Sequence, residues 1–587
     1  MATVHLAAGS TGRLLEAARA LNILSRSDIR RRKPAATALF LVGLHEAGEI
    51  AWIRREVRDG VLLSDPLQMR LAGLAFLNGG EPDEARQLFS ALIEAEPENP
   101  MGYRLLGRAL AVAGDYEVAT QNFARSVEIA PRMVMAHHNS AGRYDVANYI
   151  PSSWELAHAG EILIYDVLAQ QAEETAFIGD LAASLQAGQA MLEQQKRLAD
   201  RFFVPREILL AVQRNCPKFD PDKPFRLLPY EWITQLGHMG MVEAHRKMNL
   251  LGVTSEAQLL LLAPEDKAAN RHFLTYLENR VFVLRDRDLI SALFPYQRVV
   301  GDNFMFAALA DGRIVPWVIG AAEAQQRWDE EGRGPTLNLT AEDRAFGEET
   351  LRALGLPEGA WYVGLHVREG GFHGEPPGAI GEHRNADIGD YLPAINRVLE
   401  AGGYVIRFGD RSMTALPAKP GLIEYGRSEQ KSARMDVFLM GSCRFIIGTT
   451  SGLTTAAQAF GTPMLLVNCI SNDWQFWPAN TRFLVKHIYD RRLKRDLIWR
   501  EIYREPTQGL LVSNIRLRRT GRQVRDNTPE EIDVAVQGML ARHAGSETVE
   551  RSLDDRYRHA MRDNPLMFGA AMPDPAFIVS HPELLTG

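Results

Sequence analysis

The sequence predicts a mixed fold, an α-helical repeat region followed by α/β units, and three observations predict it. A self-similarity with a period of 34 residues runs from about 66 to 131. From Phe225 onward, short apolar runs alternate with helical patterns. The stretch 445–472 reads as buried strand, hydroxyl-rich loop, short helix and strand. Alternation of this kind is the mark of parallel strands joined by crossover helices.

The repeat is explicit at five matched positions. Gly73 aligns with Gly107, Gly80 with Gly114, Ala85 with Ala119, Phe89 with Phe123, and Pro97 with Pro131. This is the tetratricopeptide (TPR) period. The first glycine lets helix A lie close on helix B, and the second opens the turn between them. Alanine and phenylalanine fill the hairpin interface, and proline ends helix B. Residues 36–58 carry a weaker version, and Met133–Ala141 reads as a capping helix. The region 1–145 is therefore expected to be a repeat domain, either a scaffold or dimerisation surface or a concave face for a protein partner. A helical connector, 146–224, follows.

Composition narrows the function. With 46% apolar and 24% charged residues, the 587-residue chain has ample material for a core. A net charge of −7 argues against a nucleic-acid partner. Three scattered cysteines, Cys216, Cys443 and Cys469, suit a reducing, cytoplasmic setting better than a disulfide framework or a zinc site. No signal peptide is expected: the arginines 30–32 precede only a short apolar run, 37–44, that meets Glu46. Residues 445–472 lack charge and histidine, but five threonines, Ser451, Gln458 and Pro463 speak against a membrane span.

The α/β part divides into a first half, 225–350, and a second, 351–545, with 546–587 expected as an extended tail. In the first half, a strand within RLLPYEWITQL leads to QLGHMG (235–240), and LLLLA (259–263) and VFVLR (281–285) are strands. In the second, strands are expected at 361–367, 404–408, 444–448 and 463–468. Helices are expected at 388–401, 435–443 and 453–460, and from a capping box at Thr528-Pro529-Glu530-Glu531 to His543. Two such halves facing each other bind ligands at the carboxyl ends of their strands.

Five places there could carry chemistry. Thr449, Thr450, Ser451 and Gly452 join a strand to a helix N-terminus, a phosphate cradle or a plain capped loop. Arg368 leaves the strand 361–367 just before two glycines; it can hold a diphosphate bidentately or serve a structural ion pair. His366, inside the strand, reads as a core histidine. Arg384 could share the ligand with Arg368, Asp387 caps the next helix, and Asp410 either meets a ribose or base or closes a turn. His238, between glycines after a strand, is a candidate general base or a turn residue. The cluster Trp474, Phe476 and Trp477 either stacks on a sugar or base or belongs to the core. The basic stretch 486–525 walls an anionic cleft, touches anionic lipid at a membrane surface, or is a solvated face. With no carboxylate triplet beside a strand, no metal and no cofactor are expected.

The segments LHVREGGF (365–372), HRNADIGDYLPAI (383–395), GGYVIRFGD (402–410), MDVFLMGSCRFIIGTTSGL (435–453) and FGTPMLLVN (460–468) together resemble an uncharacterised bacterial family of TPR-linked glycosyltransferase-like proteins. The HxR of His366–Arg368 is also similar to the motif of GT-B fucosyltransferases, in which the arginine contacts the diphosphate of the nucleotide sugar without a metal. Glu369-Gly370-Gly371 departs from that motif, so fucose specificity is not implied.

The resemblance implies a GT-B glycosyltransferase of two doubly wound, Rossmann-like domains, the first for the acceptor and the second for the donor. The reaction implied is metal-independent, inverting transfer to a protein or surface glycan. Arg368, Arg384, Asp410 and Thr449–Gly452 are the donor-side residues, with His238 and Arg368 catalytic. The TPRs would bring a protein partner or form a homo-oligomer. The alternative is a TPR adaptor whose α/β part is non-catalytic or sugar-sensing.

Overall fold

The structure is a computed structural model, and it describes residues 66–78, 81–130, 156, 158–178, 181–302, 305–370, 382–470, 476–502, 517, 521–546, 551–562 and 569–585. The weaker repeat at 36–58 and the capping helix at 133–141 lie outside the described residues. The chain divides into two compact units: residues to 172 with 186–202, and 173–185 with 203 onward.

The first unit contains the repeats. Helices α1 (Pro66–Asn78) and α2 (Pro82–Ala95) form one hairpin, and α3 (Pro100–Val112) and α4 (Tyr116–Ile129) the next. A Cβ on Gly73 would lie 2.4 Å from the Phe89 ring, and one on Gly107 2.8 Å from the Phe123 ring. Each glycine is thus the socket for its hairpin's phenylalanine, and both rings are fully buried. Gly114 makes the turn with φ +86°, a region that favours glycine. Replacing Gly107 with Val should therefore cost about 2 kcal/mol by overpacking against Phe123. The check is calorimetric: the repeat unit's unfolding midpoint should fall in Gly107→Val.

In the second unit, β1 (Phe225–Leu228), β2 (Gln258–Leu262) and β3 (Phe282–Leu284) form a parallel sheet in that order. A parallel bridge from Leu227 to Gly301 extends it beyond β1. An antiparallel pair follows, β4 (Phe306–Ala308) with β5 (Ile314–Pro316). Among the described residues this half is smaller than the doubly wound sheet expected.

The second half is complete. Strands β6 (Tyr362–His366), β7 (Tyr404–Arg407), β8 (Leu422–Ile423), β9 (Ile446–Gly448), β10 (Met464–Cys469), β11 (Thr481–Val485) and β15 (Met572–Pro573) form one sheet. Its order is β8-β7-β6-β9-β10-β11-β15, and every pairing is parallel. Val363, Leu365, Ile446, Leu465 and Leu466 are buried, as expected for central strands covered on both faces. Between β11 and β15 the chain builds a small antiparallel sheet from β12 (His487–Asp490), β13 (Arg495–Asp496) and β14 (Arg522–Arg525), in the order β13-β12-β14. Among the described residues, the basic stretch of the sequence supplies this sheet and the short helix Trp499–Ile502.

The described residues of 546–587 are not the extended tail expected. They form a helix, Arg551–Met561, the edge strand β15 and a helix, Pro575–Ser580. Phe577 and Ile578 are buried. β15 is two residues long and ends in proline, too short to leave a periodic signal. No helix among the described residues is long and apolar enough to cross a membrane.

The two α/β halves meet through glycines. A Cβ on Gly240, in the helix Leu236–Leu250, would lie 2.5 Å from the Thr455 carbonyl oxygen. A Cβ on Gly237 would lie 3.0 Å from Gly452 Cα. The glycines of QLGHMG thus serve helix packing on Gly452–Ala457, and the segment is helical rather than a loop after a strand. A second tie is Asp343, buried in the helix Ala341–Ala353. It accepts from Tyr276 Oη at 2.5 Å, His272 Nε2 at 2.8 Å and Arg434 Nε at 2.6 Å.

Candidate functional site

The sheet order fixes where a ligand can enter. From β6 the chain winds outward to β7 and β8, then crosses to β9 on the opposite side of β6. Loops leaving the carboxyl ends of β6 and β9 therefore diverge, and such a switch point is where open α/β sheets leave a crevice. Arg368 lies two residues beyond β6, and Thr449–Gly452 follow β9 directly. The two motifs leave the carboxyl ends of these two neighbouring strands.

They are laced together. The Thr449 N–H donates to the His366 carbonyl at 3.0 Å, and the Arg368 N–H donates to Thr449 Oγ1 at 2.9 Å. The Arg368 guanidinium donates to Asn385 Oδ1. Arg384, one residue before that asparagine, reaches the Thr450 carbonyl with Nη2 at 3.4 Å. Its buried Nε has no hydrogen-bond partner among the described residues. A buried donor left unsatisfied costs about 1–3 kcal/mol, so an anionic oxygen placed there would be favoured.

The loop's own side chains are largely engaged. Thr449 and Thr450 are buried. Ser451 caps the helix Gly452–Ala457 in a reciprocal box with Thr454. Gly452 provides room for Gly237: a Cβ there would sit 2.7 Å from the Gly237 nitrogen. The capped-loop reading thus describes these hydroxyls, while the two arginines around them supply the charge.

Glu369, the residue at which the HxR motif departs from the fucosyltransferase pattern, is buried against Arg407. Its other oxygen accepts from the Thr414 N–H at 2.9 Å. It is a structural ion pair, and its neighbour Arg368 is not part of it. Asp410 closes a turn, accepting from the Ser412 N–H at 2.7 Å. Asp387 caps the following turn through Gly389 N–H at 2.8 Å. Phe476 stacks on Trp477 with ring centroids 5.2 Å apart and packs edge-on to Trp317, and Trp477 is buried. Trp477 is core and Phe476 is half-buried against it; Trp474 lies outside the described residues.

His238 sits in the first turn of the helix Leu236–Leu250, beside the Gly237–Gly452 contact. Its Nδ1 lies 3.0 Å from the Glu231 carbonyl. A carbonyl only accepts, so Nδ1 carries the proton and Nε2 the lone pair. Burial holds the ring's pKa below its usual value, against the raising effect of that hydrogen bond. The imidazole is thus neutral at pH 7. Burial, with the nearby cations Lys431, Arg407 and Arg368, likewise brings His366 down to about 4.

The structure also shows what the start of the basic stretch does. Lys486 follows β11 and donates to Asp526 Oδ1 at 2.7 Å and to the Asn385 carbonyl. Asn385 thus joins Arg368 on its side chain to Lys486 on its backbone. Burial lowers the Lys486 pKa, with Asp526 opposing the shift. A cavity of about 500 Å³ opens here, lined by His383, Asn385, Lys486, Arg491, Arg522 and Asp526 among others. The run TRFLV (481–485) was the available signal for β11, and hence for a cation at its carboxyl end.

The tetratricopeptide repeat family matches residues 70–133. No curated protein matches. Among solved structures, a glycosyl transferase family 9 protein from Veillonella parvula aligns over 45% of this chain and 85% of its own, at 12% identity and TM-score 0.29. The ADP-heptose lps heptosyltransferase II of E. coli aligns over 44% and 90%, at 15% identity and TM-score 0.27. A mutant O-GlcNAc transferase from Thermobaculum terrenum aligns over 86% and 99%, at 12% identity and TM-score 0.20. At these scores the fold rests on the sheet order itself. This chain therefore carries tetratricopeptide repeats at 70–133, ahead of an α/β unit whose seven-stranded parallel sheet brings Arg368 and Arg384 beside the loop Thr449–Gly452 at its switch point.

Proposed function

We propose that the α/β unit is a metal-independent glycosyltransferase that moves a sugar from a nucleotide sugar to a protein or surface-glycan acceptor. The observation that carries this reading is that Arg368, tied to Thr449 by its backbone N–H, and Arg384, whose guanidinium reaches the Thr450 carbonyl, both border the loop Thr449–Gly452 at the switch point. A donor with a diphosphate suits two guanidiniums and a buried unpaired N–H. The half 351–545 would hold the donor and the half 225–350 the acceptor. The acceptor hydroxyl attacks C1, the C1–O bond to the diphosphate breaks, and the hydroxyl proton passes to His238 Nε2. Arg368 and Arg384 stabilise the departing diphosphate. A single displacement of this kind inverts the anomeric centre. The repeats would present a protein acceptor or partner. Three free, buried cysteines suit a cytoplasmic setting.

The test is nucleoside diphosphate release from a panel of nucleotide sugars, with and without acceptor. Release from at least one donor is expected; no release across the panel would favour the TPR adaptor. Since guanidiniums supply the charge, adding Mg²⁺ or Mn²⁺ to desalted protein should leave turnover unchanged. A strong stimulation, measured as initial rate against metal concentration, would reveal a ligand set at the donor site.

A further inference from the structure

We propose that His487, Glu531 and His581 form a site for a divalent transition metal of the zinc class, which fastens the C-terminal segment onto the α/β unit. The inference is independent of the glycosyltransferase reading. The three residues come from separate elements: His487 from β12, Glu531 from the first turn of the helix Pro529–His543, and His581 from just after the helix Pro575–Ser580. Their ligand atoms lie within 4.8 Å of one another. Two imidazole nitrogens and one carboxylate oxygen are a donor set that zinc favours, leaving a fourth position for water.

Three features favour a metal over a chance cluster. Glu531 Oε2 accepts the Thr528 N–H at 2.7 Å, completing the helix cap, and lies 3.3 Å from His487 Nε2. Oε1 faces both histidines, 3.0 Å from His487 Nε2 and 2.5 Å from His581 Nε2. Zinc bonds of about 2.0–2.2 Å in tetrahedral geometry need ligand separations of roughly 3.3 Å, so both nitrogens need only draw back slightly from Oε1 to admit an ion. The second feature lies behind His581, whose Nδ1 is 3.3 Å from Glu583 Oε1. A carboxylate on the far nitrogen of a ligating histidine is the usual outer-shell partner, fixing the tautomer that points Nε2 at the metal. The third is the wall. The Phe577 ring lies 5.8 Å from the His487 ring and 4.9 Å from the His581 ring. The ligand side chains are only 13%, 12% and 24% exposed for His487, Glu531 and His581.

The consequence reaches the cavity. His487 follows Lys486, and successive residues of an extended chain point to opposite faces. A metal on His487 would therefore hold, from behind, the backbone that sends Lys486 toward Asn385 and Asp526. It would also pin a segment whose strand, β15, has just two residues.

The test uses the untagged full chain, stripped of metal, exposed to excess Zn²⁺ and desalted. Elemental analysis should then find about one zinc per chain. Chelation should lower the unfolding temperature of the loaded protein. His487→Gln and His581→Gln should each lose the ion, and Glu583→Gln should weaken Zn²⁺ binding about 10–100-fold. If either histidine variant fails to fold, Co²⁺ added to the wild type decides the matter, because a three-ligand protein site gives it an intense visible spectrum that Zn²⁺ abolishes. A wild-type chain that retains no zinc, with no chelator effect and no such spectrum, would show a hydrogen-bonded histidine–glutamate clasp only and overturn the proposal. Retention of zinc by both histidine variants would overturn it equally.

Discussion

Arg368→Ala is expected to reduce sugar transfer at least a hundredfold while the protein stays folded. The fold should survive because the contact that joins the β6 and β9 loops is made by the Arg368 backbone N–H, which alanine retains. What is lost is the guanidinium and its bond to Asn385. A cation acting on the charge that develops on the leaving diphosphate contributes about 3 kcal/mol of barrier, which is roughly a hundredfold in rate. Arg368→Lys keeps the charge but not the planar fork, and should fall between the two. The measurement is kcat with the donor saturating, beside an unfolding curve for each variant. Near-normal turnover in Arg368→Ala would remove this residue from the mechanism.

Asp343→Ala should destabilise the α/β unit strongly, by about 2–3 kcal/mol, because it leaves the buried Tyr276 hydroxyl and two half-buried donors without their acceptor. Tyr276, His272 and Arg434 all donate to this one carboxylate. Arg434 belongs to the second half's helix Ala433–Ser442 and His272 to the first half, so the loss should loosen the seam between them. Burial alone would raise the Asp343 pKa, but hydrogen bonds from Tyr276, His272 and Arg434 outweigh it and hold the group down to about 2. A folded-state pKa below the unfolded value adds stability at neutral pH. That stability declines as the pH falls below about 3.8 and is gone below about 2. Urea unfolding at pH 7 should show the loss directly. In Asp343→Asn, the acid dependence over that window should be weaker than in the wild type.

Much of this architecture was legible because local chemistry and tertiary need coincided. Gly73 and Gly107 were readable as close-approach residues since Phe89 and Phe123 recur at the same offset, and the rings do fill those positions. The loops at Arg368 and Thr449 were readable because each follows a continuous apolar run punctuated by glycine, and β6 and β9 prove to be neighbours. Glycines on both sides of His238, a candidate general base or turn residue in the sequence, suggest a turn; instead tertiary packing against Thr455 and Gly452 needs those glycines inside a helix. Asn385 and Lys486 were not legible as a pair, since 101 residues separate them and only the folded sheet brings the β11 end beside the turn at 382–385. β15 was hidden because two residues carry no period. Asn468 is a subtler case. It holds φ +58° at the end of β10, exchanges hydrogen bonds with Asn527 and donates to Tyr391 Oη. Nothing in the run PMLLVN marks it as a bend.

The most direct measurement is calorimetric titration of nucleoside diphosphates, taken across UDP, GDP, ADP and CDP, into the wild-type chain and Arg368→Ala. A diphosphate site at the switch point between β6 and β9 predicts that at least one of them binds the wild type. It also predicts that affinity falls at least about tenfold in the variant, the loss of roughly 1.4 kcal/mol from a single charge-assisted contact. Titrations without heat across the whole panel, or equal affinity in the two proteins, would contradict it.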